Sequence, residues 1–250
     1  MRDVFRSAVA AVTFLTAVPI SRSAALADRE RLRDGTVLFP AVGAAVGAAT
    51  GAIAWAAAFV VPPLPAAVLG VAAGALLTGA LHLDGLADTA DGAGASLSGA
   101  DPSAAMHDPR LGVFGGVALV LDLALRISVL SALVVGPRFP SAAIAAGALG
   151  RAASVALLAT TPYAGGSDGT GAWTRGVGLG RGLASAALAA TIGVIAVGPV
   201  FGAMVIPVAA VAALIRRWSR RQLGGMTGDT LGATAELSET VALMAALAVA

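Results

Sequence analysis

The chain has 250 residues, of which 58% are hydrophobic and only 12% are charged, with a formal net charge of +2. Soluble domains carry about 25% charged residues, so this composition excludes an ordinary soluble domain and favours a membrane protein. The absence of cysteine rules out disulfides and thiolate metal sites. The basic residues, all arginine, flank apolar runs in short segments, so we expect no nucleic-acid partner.

Residues 1–34 begin with early arginines and an apolar stretch, followed by a strongly charged segment. A cleaved signal peptide is one interpretation of such a start. The charged residues that follow are typical of a cytoplasmic loop and not of a secreted domain. We therefore favour a retained amphipathic or short buried helix over residues 1–20, followed by a cytoplasmic loop that ends at residue 34.

Apolar runs recur along the rest of the chain, and most are long enough to cross a bilayer core of about 30 Å as helices. The candidate spans are residues 37–61, 64–81, 111–135, 141–160, 183–197, 200–215 and 231–250. The fifth and sixth are short and are separated only by Gly198 and Pro199. The sequence therefore predicts an all-α, polytopic membrane helical bundle with six or seven spans, forming a single domain over residues 1–250.

The connections between these spans alternate in character. The tight turns are residues 62–63, 136–140 and 198–199. The long connections are residues 21–34, 82–110, 161–181 and 216–230, and they hold 11 of the 16 arginines. Because arginine-rich loops stay on the cytoplasmic side, we expect the long connections to share that face, with 82–110 as an acidic active-site loop.

The segment LHLDGLADTADG at residues 81–92 carries Asp84, Asp88 and Asp91 at i, i+4 and i+7. In a helix this spacing puts them on one face, where like charges are unfavourable unless a cation lies among them. Oxygen ligands without sulfur suit magnesium, which is often shared with substrate phosphates. We therefore predict a magnesium site, with a solvated acidic face as the alternative. His82 is a candidate for proton transfer or a supporting contact.

A second segment, MHDPRLGVFGG at residues 106–116, adds a fourth carboxylate, Asp108, to the predicted metal ligands. Arg110 supplies a guanidinium fork suited to phosphate, and Gly112 allows a ligand to approach the backbone closely. The same residues also fit a capped helix start, and a helix N-terminus is itself an anion site.

A third segment, GGMTGDTLGATAELSE at residues 224–239, takes polar residues into the last predicted span. Carboxylates within a span are costly and mark candidate functional sites. The substrate-binding candidates here and in the fourth span are Thr227, Asp229, Thr230, Glu236 and Arg151. Asp122 and Arg126, at i and i+4 on the third span, could neutralise each other.

Together these residue types indicate phosphoryl-transfer chemistry. Such chemistry needs neutralisation of negative charge around phosphate, which magnesium and arginine provide. Asp88, Asp91 or His82 would accept the proton of an attacking alcohol. These three are the catalytic candidates.

In these segments the sequence resembles the cobalamin synthase family, also called adenosylcobinamide-GDP ribazoletransferase. The matching segments are residues 82–92, 107–112 and 224–237, together with Phe-Pro at 39–40. The resemblance implies a polytopic enzyme of the cytoplasmic membrane with its active site facing the cytoplasm. It also implies a reaction that joins adenosylcobinamide-GDP to alpha-ribazole, or to alpha-ribazole 5′-phosphate, and releases GMP with magnesium present.

Departures from the family pattern occur at Ala17, residues 101–105, His107, Pro109 and Gly165. Two other functions are kept as alternatives. Asp88 and Asp91 before Gly92 resemble the opening of the CDP-alcohol phosphotransferase motif, and intramembrane carboxylates also occur in ion-coupled transporters. The expected partners are the two substrates and the lipid bilayer, and self-association into a homo-oligomer is left open.

Overall fold

The structure, a computed structural model, describes residues 2–18, 20, 29–134, 141–165 and 172–249. Its α-helices are α1 (Arg2–Leu15), α2 (Arg29–Gly35), α3 (Phe39–Ala57), α4 (Pro63–Thr78), α5 (Leu81–Leu97), α6 (Pro102–Met106), α7 (Val113–Leu133), α8 (Ser141–Thr160), α9 (Leu179–Val197), α10 (Val200–Gln222) and α11 (Gly228–Ala248). Within these residues the only β contact is an isolated bridge between Tyr163 and Met226. The all-α prediction is confirmed.

Six helical segments of the described residues are long and apolar enough to cross a membrane, and a bent pair raises the number to seven. The six are Arg29–Ala57, which joins α2 to α3, and α7, α8, α9, α10 and α11. This agrees with the predicted count. Four spans extend beyond their predicted limits: the first begins at Arg29, α9 at Leu179 and α11 at Gly228, and α10 continues through its arginines to Gln222.

The bent pair consists of α4 and α5, whose axes differ by 90°. Two consecutive residues in the left-handed region, Gly79 at φ 60° and Ala80 at φ 57°, form the break between them. The region predicted as the loop 82–110 is therefore largely helical, since α5 and α6 occupy most of it. Placing the acidic segment on a helix fixes which of its side chains share a face.

The core of the bundle surrounds α8, which packs against α3, α9 and α11. Helices α3 and α8 cross where Gly43 meets Gly147. A side chain on either glycine would overlap the carbonyl oxygen of the other. Small residues allow such close helix approach in lipid, where dispersion contacts replace the hydrophobic effect as the source of association.

One end of the bundle collects the arginine-rich connections. Arg181 at the start of α9 donates to Asp34 at 2.6 Å, and Arg33 donates to the Trp173 carbonyl at 2.8 Å. Near the end of α10, Arg216 donates to the carbonyl of Thr160 at 3.1 Å. These contacts join α2 to α9 and α8 to α10, so three of the four long connections, residues 21–34, 161–181 and 216–230, meet at one end of the bundle.

Candidate functional site

The site lies where α5 crosses α11, and glycine makes the crossing close. A Cβ on Gly85 would lie 2.7 Å from the Asp229 carbonyl oxygen, and one on Gly232 would lie 3.3 Å from the Cα of Gly85. A side chain at Gly85 would therefore overlap α11, and one at Gly232 would push α5 away by a few tenths of an ångström. The crossing therefore brings Asp84 and Asp88 of α5 next to Asp229 in the first turn of α11.

A cavity of about 380 Å³ opens at this crossing, within the usual size range of ligand pockets. Its polar lining includes His82, Asp84, Arg151, Ser154 and Asp229. Its apolar wall includes Phe14, Phe39 and Trp173, whose rings pack together with centroids 5.0–6.3 Å apart. The sequence did not predict this aromatic wall or a role for Ser154, because the residues come from separate segments and only Phe39, in the Phe-Pro pair at 39–40, belonged to a recognised motif.

Asp88 is half-buried on the same face of α5 as Asp84, and the negative charges of Asp229, Asp84 and Asp91 all act on it. Within the described chain, Asp84, Asp88 and Asp229 form no ion pair with a basic side chain. His107, noted above only as a departure from the family pattern, lies near both Asp88 and Asp229. The cluster is strongly electronegative.

These residues fit a magnesium ion that shares its coordination with a ligand. Among the described residues no three Asp, Glu or His side chains converge into a complete metal site. Magnesium, however, commonly takes one or two protein carboxylates and completes its shell with water and substrate phosphates. Asp84, Asp88 and Asp229 supply carboxylates of that kind beside the cavity.

Asp91 has a different partner from the other two aspartates of α5. Its carboxylate accepts hydrogen bonds from the backbone N–H groups of Gly112 and Gly115, both at 2.8 Å. It thereby satisfies free N–H groups at the start of α7. A side chain on Gly112 would overlap this carboxylate, so contact with Asp91 accounts for the glycine.

Replacing Asp91 with alanine should reduce stability, because two charge-assisted hydrogen bonds at the start of α7 are lost. We expect a loss of about 2 kcal/mol, measured as the free energy of unfolding in detergent. Asp91→Asn keeps one acceptor oxygen and should lose less. Asp88→Ala, on the same helix face, is the matched control and should not be destabilised, because it removes like-charge repulsion. Equal losses at the two positions would contradict the capping role.

Asp108 and Arg110 pair with each other and lie outside the cavity. Arg110 donates to both carboxylate oxygens of Asp108, at 3.0 and 2.7 Å. These hydrogen bonds lower the pKa of Asp108 to about 2. The structure therefore does not bring Asp108 together with the other predicted metal ligands, and Arg110, which is 86% exposed, is already occupied by a carboxylate.

Thr227 and Thr230 cap the start of α11. The Thr227 N–H donates to the Thr230 hydroxyl oxygen at 2.8 Å, and the Thr230 N–H donates to the Thr227 hydroxyl oxygen at 3.3 Å. Thr230 is fully buried. In this arrangement both residues hold the first turn of α11 in place, and with it Asp229, instead of presenting their hydroxyls to the cavity.

Glu236 lies deeper in the bundle, within a buried network of charges. It pairs with Arg126 of α7 at 2.9 Å, and Arg126 also pairs with Glu239 at 3.2 Å. Glu239 in turn pairs with Arg151 of α8. Because Arg151 also lines the cavity, it connects the site to this network, whereas Glu236 is not part of the cavity wall.

Asp122 of α7 does not form the ion pair expected with Arg126. Its carboxylate accepts a hydrogen bond from the Thr240 hydroxyl at 2.7 Å, while Arg126 is bound to the glutamates of α11. Asp122 and Arg126 therefore each bind side chains of α11 and do not bind each other, although they are i, i+4 neighbours on α7.

Comparison with known proteins identifies the family. No solved structure shows a significant match to the chain. The sequence matches the profile of the CobS family, described as cobalamin-5-phosphate synthase, over residues 7–247. A protein of Leptothrix cholodnii named adenosylcobinamide-GDP ribazoletransferase is 39% identical over 219 residues, which cover 84% of this chain and 83% of that protein.

Proteins of the same name from Klebsiella pneumoniae and Stutzerimonas stutzeri are 36% and 40% identical, and the alignments cover 97% and 94% of this chain. They also cover 99% and 94% of the two relatives. The resemblance drawn from three short motifs is thus confirmed over nearly the whole sequence, and the chain belongs to the cobalamin-5-phosphate synthase family.

Proposed function

We propose that this membrane protein joins adenosylcobinamide-GDP to alpha-ribazole, or to alpha-ribazole 5′-phosphate, and releases GMP. The observation that carries the proposal is the cavity between α5 and α11. Its lining presents Asp84, Asp229 and the buried Arg151, together with an aromatic wall, to one ligand-sized space. The relatives named for this activity align with most of the chain, which supports the same assignment.

The reaction is the attack of a ribazole hydroxyl on the phosphorus attached to the cobinamide arm. A new phosphorus–oxygen bond forms, the diphosphate bond breaks, and GMP leaves with the displaced oxygen. His82 lines the cavity and is 5% exposed, and its Nδ1 has no hydrogen-bond partner among the described residues. A buried polar atom without a partner is unfavourable. We therefore propose that His82 Nδ1 accepts the proton of the attacking hydroxyl, and Asp88 is the second candidate for this role.

Magnesium, when bound, would neutralise charge on the diphosphate. Asp84 and Asp229, which line the cavity, and Asp88 beside them would supply the one or two carboxylates that hold it; none of the three has a basic ion-pair partner in the described structure. Arg151 adds a fixed positive charge at the same cavity, which favours an anionic ligand. Asp91 holds α5 against the start of α7, and the Thr227–Thr230 cap holds the first turn of α11, with Asp229, in place.

We also propose that the protein lies in the cytoplasmic membrane and that its cavity opens toward the cytoplasm. The supporting observation is charge, because Arg33, Arg181 and Arg216 lie at the same end of the bundle, near the cavity. Arginine-rich segments of membrane proteins stay on the cytoplasmic side, so this end of the bundle, with the cavity, would face the cytoplasm.

The test uses purified protein reconstituted in lipid and supplied with adenosylcobinamide-GDP and alpha-ribazole or its 5′-phosphate. GMP should appear in step with the joined corrinoid when both products are followed by chromatography. A parallel sample with CDP-lipid and an alcohol tests the head-group transferase, and vesicles with an ion gradient test the transporter. Release of CMP, or solute flux without GMP, would replace the proposal with one of those alternatives.

Removal of magnesium with EDTA should slow GMP release by about 100-fold or more, which is the scale of losing a major electrostatic contribution. Added magnesium should restore the rate. The melting temperature of the same samples serves as a control, because a loss of fold would lower both quantities. An unchanged rate in chelated protein would remove magnesium from the proposal and leave the transferase assignment standing.

A further inference from the structure

A second, apolar groove of about 470 Å³ opens on the side of the bundle between α7 and α10. Helix α11 forms its floor, and one face of α5 closes the end nearest the site. The side chains at its rim are exposed by 41–67% and are all apolar: Leu121, Leu125, Leu214 and Met244. Since α7, α10 and α11 are spans, the groove opens toward lipid and lies apart from the polar cavity.

Helix α5 presents opposite faces to the groove and to the site. Its groove face carries Leu86, Thr89, Ala90 and Ala93, at i, i+3, i+4 and i+7. At 100° per residue these positions lie on the opposite side of the helix from Asp84, Asp88 and Asp91. Whatever fills the groove therefore supports the helix that carries the acidic side chains.

Helix α10 adds charge at the mouth of the groove. Leu214 and Trp218 line the groove, and Arg217 and Arg221 continue the same helix face at i+3 and i+7 from Leu214. Both arginines are exposed, and neither forms an ion pair within the described residues. Trp218 is flanked by arginines just beyond the apolar run of α10, and tryptophan near basic residues at the end of a span is typical of a membrane–water interface. The face thus changes from apolar to cationic over two turns.

We propose that this groove holds an acyl chain of an anionic phospholipid, whose phosphate binds Arg217 and Arg221. The groove is lined mainly by apolar side chains, with Thr89, Asp122 and Thr240 as its polar members, which favours an acyl chain. The two exposed guanidinium groups attract an anion at the end where the head group of such a lipid would lie. A zwitterionic phospholipid fits the groove equally well but gains less from the arginines. The bound chain packs beneath α5 and so stabilises the position of the acidic helix.

Native mass spectrometry of the detergent-solubilised protein with equal amounts of phosphatidylglycerol and phosphatidylcholine tests this proposal. We expect one tightly retained lipid with a preference of about 30-fold for phosphatidylglycerol, as two basic contacts imply. The double variant Arg217→Gln/Arg221→Gln should retain the two lipids equally. Arg220→Gln, an exposed arginine on another face of the same turn, is the matched control and should behave as wild type.

Filling the groove gives an independent check. Ala118→Phe places a ring in the groove and should abolish tight retention of both lipids; if this variant does not fold, the exposed arginine variants decide alone. Equal retention of the two lipids by wild type would overturn the proposal, as would wild-type behaviour of the double variant. A lipid-free dimer would overturn it too, because a second copy would then cover the groove. None of these measurements depends on turnover.

Discussion

Asp88→Asn is expected to lower the rate of GMP release by about 100- to 1000-fold, the scale on which a lost electrostatic contact at a reacting group acts. Asparagine keeps the size of the side chain but not the charge. Asp88 lies half-buried among the charges of Asp229, Asp84 and Asp91, so its carboxylate is the central member of the proposed cation site. The measurement is the initial rate of GMP release at saturating substrate and over a range of magnesium concentrations.

The magnesium dependence makes this test specific. If Asp88 binds the ion, the variant should need a higher magnesium concentration, whereas general damage would lower the rate at every concentration. Asp3→Asn is the control, because Asp3 is an exposed residue of the first turn of α1 and pairs with Arg31 of α2. Its rate should match wild type. Turnover of Asp88→Asn at the wild-type rate would exclude Asp88 from the reaction.

Glu239→Ala is expected to have the largest effect on stability, about 3–5 kcal/mol. Glu239 pairs with both Arg126 and Arg151 inside the bundle. Arg151 is 3% exposed, and Arg126 keeps Glu236 as a partner. The change therefore leaves the buried Arg151 without its carboxylate, which is the costly case for a charge in the interior. The measurement is the free energy of unfolding of the reconstituted protein.

A double variant separates charge pairing from loss of volume. In Glu239→Gln/Arg151→Met both charges are removed together, so we expect it to be more stable than Glu239→Gln alone. Glu30→Ala, at an exposed glutamate, should change stability by less than about 0.5 kcal/mol. Additive losses in the double variant would show that Glu239 and Arg151 do not stabilise each other.

The sequence predicted what depends on local periodicity. Runs of about 20 apolar residues indicate spans whatever surrounds them, and the i, i+4, i+7 spacing of Asp84, Asp88 and Asp91 describes one helix face before any partner is known. The structure contains both the apolar spans and the helix that carries the three aspartates on one face, which is α5. The family also followed from contiguous motifs, which need no knowledge of tertiary contacts.

Contacts between distant segments could not be predicted in the same way. Asp91 looks like its neighbours in sequence, yet its oxygens meet N–H groups 21 and 24 residues away. Glu236 resembles a site residue by motif, but Arg126, 110 positions earlier, binds it inside the bundle. Such pairings arise when helices pack, and nothing in the spacing of a single helix indicates which partner it meets.

The hydrogen bonds of Asp91 to Gly112 and Gly115 have a mechanical consequence. Rotation of α5 about its own axis would break both bonds, which together contribute about 2 kcal/mol. The acidic helix and the first turn of α7 must therefore move as one rigid frame. Motion of α5 relative to the start of α7 is thereby restricted, so the carboxylates of α5 keep their distance from the N-terminal end of α7.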